Sequence, residues 1–143
     1  TRAWCLPLAS GPGTVTVLFA MDDVRAAGQG IPVPADVAVV QSYIDARRPV
    51  CADVLVAAPI AVPLNLTISG IQPPDAAVRA AVEAEFRDLV LREAAPGGTI
   101  LLSHLREAIS VAAGETDHVL VSPAANVTRA ATELSVPGAI TWV

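Results

Sequence analysis

The sequence predicts an α+β fold that is built as two small lobes, β-α-β followed by β-α-α-β-β. Short β-branched segments alternate with segments whose apolar residues recur at helical spacing. Proline and glycine residues separate these segments, and Pro59 lies between two strand-like segments, where we place the lobe boundary. A chain of 143 residues with 53% hydrophobic and 16% charged residues is long and apolar enough to bury a core.

The first lobe is predicted to span residues 14–58 and to follow an opening segment, residues 1–13, which ends in a Gly-Pro-Gly turn. Residues 14–20 are β-branched and alternate in part between apolar and polar, which is typical of a strand. Residues 52–58 form a second strand-like segment, and it closes the lobe.

The helix of the first lobe is predicted to begin at Pro34, because proline is tolerated in a first turn. It ends near Arg48, because Pro49 disfavours helical geometry at the residue before it. Three residues at helical spacing form its apolar stripe: Val37, Val40 and Ile44.

The second lobe is predicted to span residues 59–143. Residues 60–71 alternate as a strand with one buried face, formed by Leu64, Leu66 and Ile68. A long helix follows residues 73–75 and stops at the Pro-Gly-Gly segment 96–98. Its inner face is Val78, Val82, Phe86 and Leu89. On another face, Arg79, Glu83 and Arg87 lie four residues apart and are expected to pair in series.

A short second helix is predicted in this lobe, with Ser103 as its N-cap and Gly114 as its C-terminal stop. Its inward residues are Leu105, Ala108, Ile109 and Ala112. Residues 119–121 and 135–143 are predicted to be closing strands.

Composition argues against a membrane span and against nucleic-acid binding. The most apolar stretch, residues 54–64, is interrupted by Pro59 and Pro63, whereas a spanning helix needs roughly 18 apolar residues. The net charge is −5, and the nine basic residues are scattered arginines without the basic face of a nucleic-acid binder.

The chain starts at Thr1 without a signal-peptide pattern, which suggests a piece of a longer protein. Cys5 and Cys51 are expected to be unpaired and partly buried, as in a reducing cytosol.

No catalytic, cofactor-binding or metal-binding residues are predicted. His104 and His118 are outside any local metal-ligand spacing. Asp22 and Asp23 favour a solvated loop over a cation site. Asp117 and His118 are strand neighbours, so their side chains point to opposite faces. Two glycine-rich segments, 10–13 and 27–30, lack the context of a phosphate loop and are predicted to be turns.

A string of short motifs nevertheless resembles the baseplate J family of Mu-like phage and prophage proteins. It comprises Trp4, residues 11–17 (GPGTVTV), 43–50 (YIDARRPV), 52–54 and 58–59, 96–99 (PGGT), the helix at 103–112, Gly114, Asp117 and the 122–126 loop (SPAAN). Each motif is weak alone, but their order and spacing cover nearly the whole chain. Cys51 and the pair Glu115-Thr116 depart from the family pattern.

The resemblance implies the C-terminal part of a non-enzymatic baseplate wedge protein in a contractile phage-type tail, which is assembled in the bacterial cytoplasm. It implies other wedge and tail proteins as partners, with self-association as a further option. A small-ligand-binding α+β module is the alternative, and a hydrolase with a non-local site is a weaker one.

The candidate interface residues are Trp4, Arg47, Arg48 and Trp142. The tryptophans lie at the chain ends, where we expect an apolar patch. For the arginines a local role at the helix end is favoured, because cations there meet the helix dipole favourably. An ion pair between subunits is the alternative.

Overall fold

The computed structural model describes residues 1–9, 11–26 and 29–143. It confirms the α+β class, and the chain forms two compact units, Thr1–Ala61 and Val62–Val143. The predicted lobe limits at residues 58 and 59 stay a prediction. Each glycine-rich segment falls partly outside the described residues, at Ser10 and at residues 27–28.

The first unit contains a three-stranded sheet of β1 (Arg2–Pro7), β2 (Thr14–Ala20) and β3 (Asp53–Ala57), in that order. β1 pairs with β2 antiparallel, and β2 pairs with β3 parallel. β1 lies within the predicted opening segment, where no strand was expected. Its residues alternate between half-buried and exposed, so it forms one edge of the sheet with a single face against the core.

Helix α1 (Pro34–Asp45) ends three residues before the predicted end at Arg48. Its stripe is only half-buried, and no residue of α1 is fully buried. The Gln41 side chain fastens the helix to the edge of β3: its Nε2 donates to the Val54 carbonyl oxygen at 2.9 Å, and its Oε1 accepts from the Val56 amide at 2.7 Å. Gln41 thereby occupies backbone groups that an edge strand would otherwise offer to another chain.

The second unit is organised around β4 (Ile60–Gln72), which lies between β6 (Asp117–Ser122) and β8 (Glu133–Trp142). β4 and β6 are antiparallel, with register shifts. The predicted alternation of β4 is confirmed: Leu64, Leu66 and Ile68 are buried. Two-residue strands, β5 (Thr99–Ile100) and β7 (Val127–Thr128), form a separate pair.

Helices α2 (Ala76–Glu93) and α3 (Leu102–Ser110) supply the rest of this core. Asp75 caps α2, because its Oδ1 accepts from the Val78 amide at 3.0 Å. α2 ends before the predicted 96–98 segment. Every predicted inward residue of both helices is buried: Val78, Val82, Phe86 and Leu89 in α2, and Leu105, Ala108, Ile109 and Ala112 in or directly after α3.

The predicted N-cap of α3 was wrong. The helix begins at Leu102, so Ser103 lies inside its first turn. The Leu102 amide donates to Oδ1 of Asn126 at 2.9 Å. The acceptor at the start of the helix is therefore a side chain 24 residues away and not the Ser103 hydroxyl. Gly114 follows the helix end at Ser110 by four residues and has a φ of +85°, a conformation that favours glycine.

Within the described ranges, no helix is both long enough and apolar enough to cross a membrane.

Candidate interaction surface

Trp4 belongs to a cluster whose charges are balanced locally. The Arg2 guanidinium lies 5.3 Å from the centre of the Trp4 ring. The same guanidinium binds both carboxylate oxygens of Asp22, at 2.9 and 3.0 Å. This bidentate hydrogen bond lowers the pKa of Asp22. Trp4 is half-buried, and the arginine beside it already has a carboxylate partner.

Arg48 joins the end of α1 to the turn before β3. Its Nε donates to Oδ1 of Asp45 at 2.9 Å, and its Nη1 donates to the Ala52 carbonyl oxygen and lies 3.9 Å from Oδ1 of Asp53. These contacts lie within the first unit, and they support the local role that the sequence favoured for Arg48.

Arg47 lies in the exposed turn directly after α1. Its guanidinium is 3.8 Å from the centre of the Tyr43 ring, and its Nη1 donates to the Tyr43 carbonyl oxygen at 3.2 Å. The exposed fraction of Tyr43 is 60%, and that of Val39, one turn earlier, is 71%. We call Val39, Tyr43 and Arg47 the α1 surface. Tyr43 and Val39 were not among the candidate interface residues predicted from the sequence, although their four-residue spacing beside Arg47 is visible there.

Trp142 lies near the end of β8 and is half-buried. The Arg79 guanidinium on α2 is 5.3 Å from the centre of its ring. The expected series of pairs along α2 forms only in its second half, where Glu83 lies 3.9 Å from Arg87. The first half was wrong, because Arg79 packs on the tryptophan instead of reaching Glu83. Arg79 was also missed as a partner of Trp142, since only tertiary packing brings the two together.

The two histidines each contact one glutamate. Nδ1 of His104 lies 2.8 Å from Oε2 of Glu93, which joins α3 to the end of α2. Nδ1 of His118 lies 2.9 Å from Oε1 of Glu115, and both side chains are nearly buried, at 10% and 6% exposure. His118 thus pairs with Glu115 and not with its neighbour Asp117.

Both cysteines are unpaired, but the expectation that they are partly buried was wrong, because both are exposed. Cys5 occupies an outward position of β1, where alternate residues are exposed. Cys51 lies in the turn between α1 and β3.

Acidic side chains of the first unit are used as ion-pair and capping groups. Both carboxylate oxygens of Asp36 accept from Arg25, at 3.0 and 3.1 Å, and one also accepts from the Val33 amide at the start of α1. These hydrogen bonds, led by that of Arg25, lower the pKa of Asp36. Asp23 is 93% exposed. Across the described part of the chain, no three His, Cys, Asp or Glu side chains are grouped as metal ligands.

A surface cavity of about 440 Å³ lies beside the Arg48 contacts. Its lining is mixed polar and apolar, and it includes Arg48 together with the two aspartates that Arg48 contacts. A second cavity, about 250 Å³, has a more apolar lining that includes Phe19, Val39 and Val40.

Taken together, these features define a two-unit α+β protein whose exposed aromatic and arginine side chains are suited to protein contacts. Within this class the chain belongs to the Baseplate J-like family. Residues 1–58 match the Baseplate J-like central domain, and residues 64–143 match the Baseplate J-like protein C-terminal domain. The resemblance inferred from the motifs is thereby confirmed.

Three curated relatives show how much of a longer protein the chain represents. It is 36% identical over 143 residues to "Putative protein JayE" of Escherichia coli K12. That alignment covers 99% of this chain and 53% of the relative. Identity is 31% to "Mu-like prophage FluMu protein gp47" of Haemophilus influenzae and 33% to "Baseplate protein gp47" of Escherichia phage Mu. Both alignments cover 100% of this chain, and 42% and 41% of those relatives. The chain therefore spans about half the length of the relatives it matches, or less.

Proposed function

We propose that the chain is a structural part of a contractile phage-type tail baseplate, that it works through protein–protein contacts and that it catalyses no reaction. The observation that carries this proposal is the ordered match of two successive Baseplate J-like domains to the two halves of the chain. One relative is itself named a baseplate protein. A baseplate wedge position, with other wedge and tail proteins as partners, follows from the same resemblance.

We propose the α1 surface as one contact with these partners. Aromatic and arginine side chains contribute more to binding than their numbers suggest, because aromatic rings bury a large area and a guanidinium offers several hydrogen-bond donors in a fixed plane. Tyr43 and Arg47 already stack on each other, so part of the ordering cost of binding is met before a partner arrives. Of the other predicted interface residues, Trp4 and Arg48 have more local contacts and are weaker candidates.

Assembly in the bacterial cytoplasm and the absence of nucleic-acid binding belong to the same proposal. Two exposed, unpaired thiols suit a reducing compartment. A net charge of −5 opposes association with a phosphate backbone.

Co-purification tests the proposal. The chain is co-expressed with the tail proteins encoded beside it, and the complex is captured through a tag on the chain. We expect at least one of those proteins to be retained, and the double substitution Tyr43→Ala and Arg47→Ala to reduce retention by about tenfold or more, since each side chain is of the kind that dominates interfaces.

Arg106→Ala is the matched control, because Arg106 is an exposed helical arginine outside the α1 surface. Equal loss in the control would contradict the assignment of the α1 surface. Retention of no tail protein, together with saturable binding of a metabolite, would replace the structural role with the ligand-binding alternative.

A further inference from the structure

Arg79 differs from the other two arginines of α2, which form ion pairs, in having no carboxylate partner. Arg87 lies 3.9 Å from Glu83, and Arg92 donates to Asp88 at 2.7 Å. For Arg79, no ion pair forms with any carboxylate of the described chain, and its buried Nε has no hydrogen-bond acceptor there. Buried donors without acceptors are rare in folded proteins, so Arg79 stands apart from the other two arginines of α2.

The two carboxylates best placed along the helix to neutralise Arg79 are both engaged elsewhere. Asp75, four residues before Arg79, caps α2 through its hydrogen bond with the Val78 amide. Glu83, four residues after it, turns towards Arg87. Side chains four apart on a helix are neighbours, so Arg79 lacks a carboxylate partner because the nearby acids pair with other groups and not because acids are absent.

Trp142 holds the guanidinium in place. The ring is 5.3 Å from the guanidinium carbon, a distance at which a cation is attracted to the ring face. The backbone beside Trp142 is held against β4, because the amide of the next residue, Val143, donates to the Ile68 carbonyl oxygen at 3.0 Å. Arg79 as a whole stays partly exposed, so the two terminal nitrogens are the part of the fork that another molecule can reach.

We infer that the Arg79–Trp142 pair is a carboxylate-binding site, and that its occupant is an acidic side chain of a neighbouring protein subunit. A guanidinium donates two parallel hydrogen bonds to a carboxylate, and a fork already oriented by an aromatic ring loses less freedom on binding than a free arginine. The identity of the occupant as a subunit rests on the proposed function. The carboxylate chemistry rests on the contacts of Arg79 alone.

The experiment uses Trp142 as its own reporter. The chain has two tryptophans, so the Trp4→Phe variant leaves the Trp142 indole N–H as a single resonance in a ¹H–¹⁵N spectrum. Hexaglutamate is titrated into this variant at low salt, with hexalysine and inorganic phosphate as separate comparison titrations. We expect a saturable shift with a dissociation constant of about 1 mM or tighter, which weakens as sodium chloride is added.

Arg79→Gln should weaken hexaglutamate binding by about tenfold or more, because it removes a charge-assisted hydrogen-bond donor. Arg79→Lys keeps the charge but loses the fork, so an intermediate loss is expected, and this variant serves if the glutamine variant does not fold. Arg87→Gln is the control on the same helix and should bind as the parent does.

Three results would overturn the inference. They are no shift with hexaglutamate, hexaglutamate binding in both Arg79 variants that equals that of the parent, or a shift with phosphate as strong as that with hexaglutamate. Failure here with successful co-purification would reject the carboxylate site alone. Binding here with failed co-purification would reject the baseplate role alone.

Discussion

Replacing Phe86 with alanine should be the most damaging single change on the α2 core face. Phe86 is 2% exposed and is among the largest fully buried side chains. Its neighbours along the helix, Val82 and Leu89, are 0% and 2% exposed, so the packing around it has little freedom to collapse into the space left behind. Truncation of a buried phenylalanine typically costs about 3–5 kcal/mol, and these surroundings favour the upper half of that range.

Urea unfolding followed by Trp142 fluorescence in the Trp4→Phe background measures this loss in the second unit, which contains both Trp142 and Phe86. With a urea dependence of about 1.5 kcal/mol per molar, the midpoint should fall by roughly 3 M. Arg87→Ala, next in sequence and 65% exposed at its side chain, should change the free energy of unfolding by less than about 0.5 kcal/mol. A loss below about 1 kcal/mol for Phe86→Ala would show that this face of α2 is not the core of the unit.

Three further predictions concern the second sheet, the acidic groups and the thiols. Gly138→Ala should destabilise the second unit by about 1–3 kcal/mol, because a Cβ there would lie within 2.5 Å of the Leu64 carbonyl oxygen; chemical unfolding should show this loss, and no loss for the exposed control Thr141→Ala. The pKa values of Asp22 and Asp36 are lowered in the folded chain, so their ion pairs stabilise it fully above the ordinary aspartate pKa of 3.8. This stabilisation should be lost as the pH falls through the lower pKa values of the folded state. Thermal melts between pH 7 and 2 should therefore show a flatter acid dependence for Asp36→Asn than for Asp23→Asn. Thiol titration of freshly purified, undenatured protein should count two reactive thiols per chain, and a count of zero would contradict both the exposed positions and the cytosolic assignment.

The sequence predicted what depends on periodicity. The α2 and α3 core residues and the alternation of β4 follow from spacing alone, because a buried face must repeat with the period of its element. The class of the fold followed from the order of these segments.

The errors concern contacts between residues distant in sequence. β1 was missed because its six residues, with Pro7 at the end, show little strand pattern until β2 lies beside them. The cap of α3 was misplaced because Asn126 provides an acceptor that no local rule identifies. The packing of Arg79 on Trp142 was missed for the same reason, since 63 residues separate the two.

The candidate interface was predictable only in part. Arg47 and Trp142 were identified, but the features that make them candidates, the stacked Tyr43 and the unpaired Arg79, depend on side-chain geometry. Arg48 and Arg47 looked equivalent in the sequence. The structure separates them, because Arg48 has carboxylate partners within its own unit and Arg47 lies on an aromatic ring at the surface.

Quantitative mass spectrometry of purified tail particles tests directly whether the chain is part of the baseplate. Particles from induced host cells are washed at high salt, and peptides of this chain are quantified against those of known baseplate proteins. The peptides should remain at a fixed ratio to those of the baseplate proteins through the washes. Their absence from the particles, with the protein recovered only in the free soluble fraction, would contradict it.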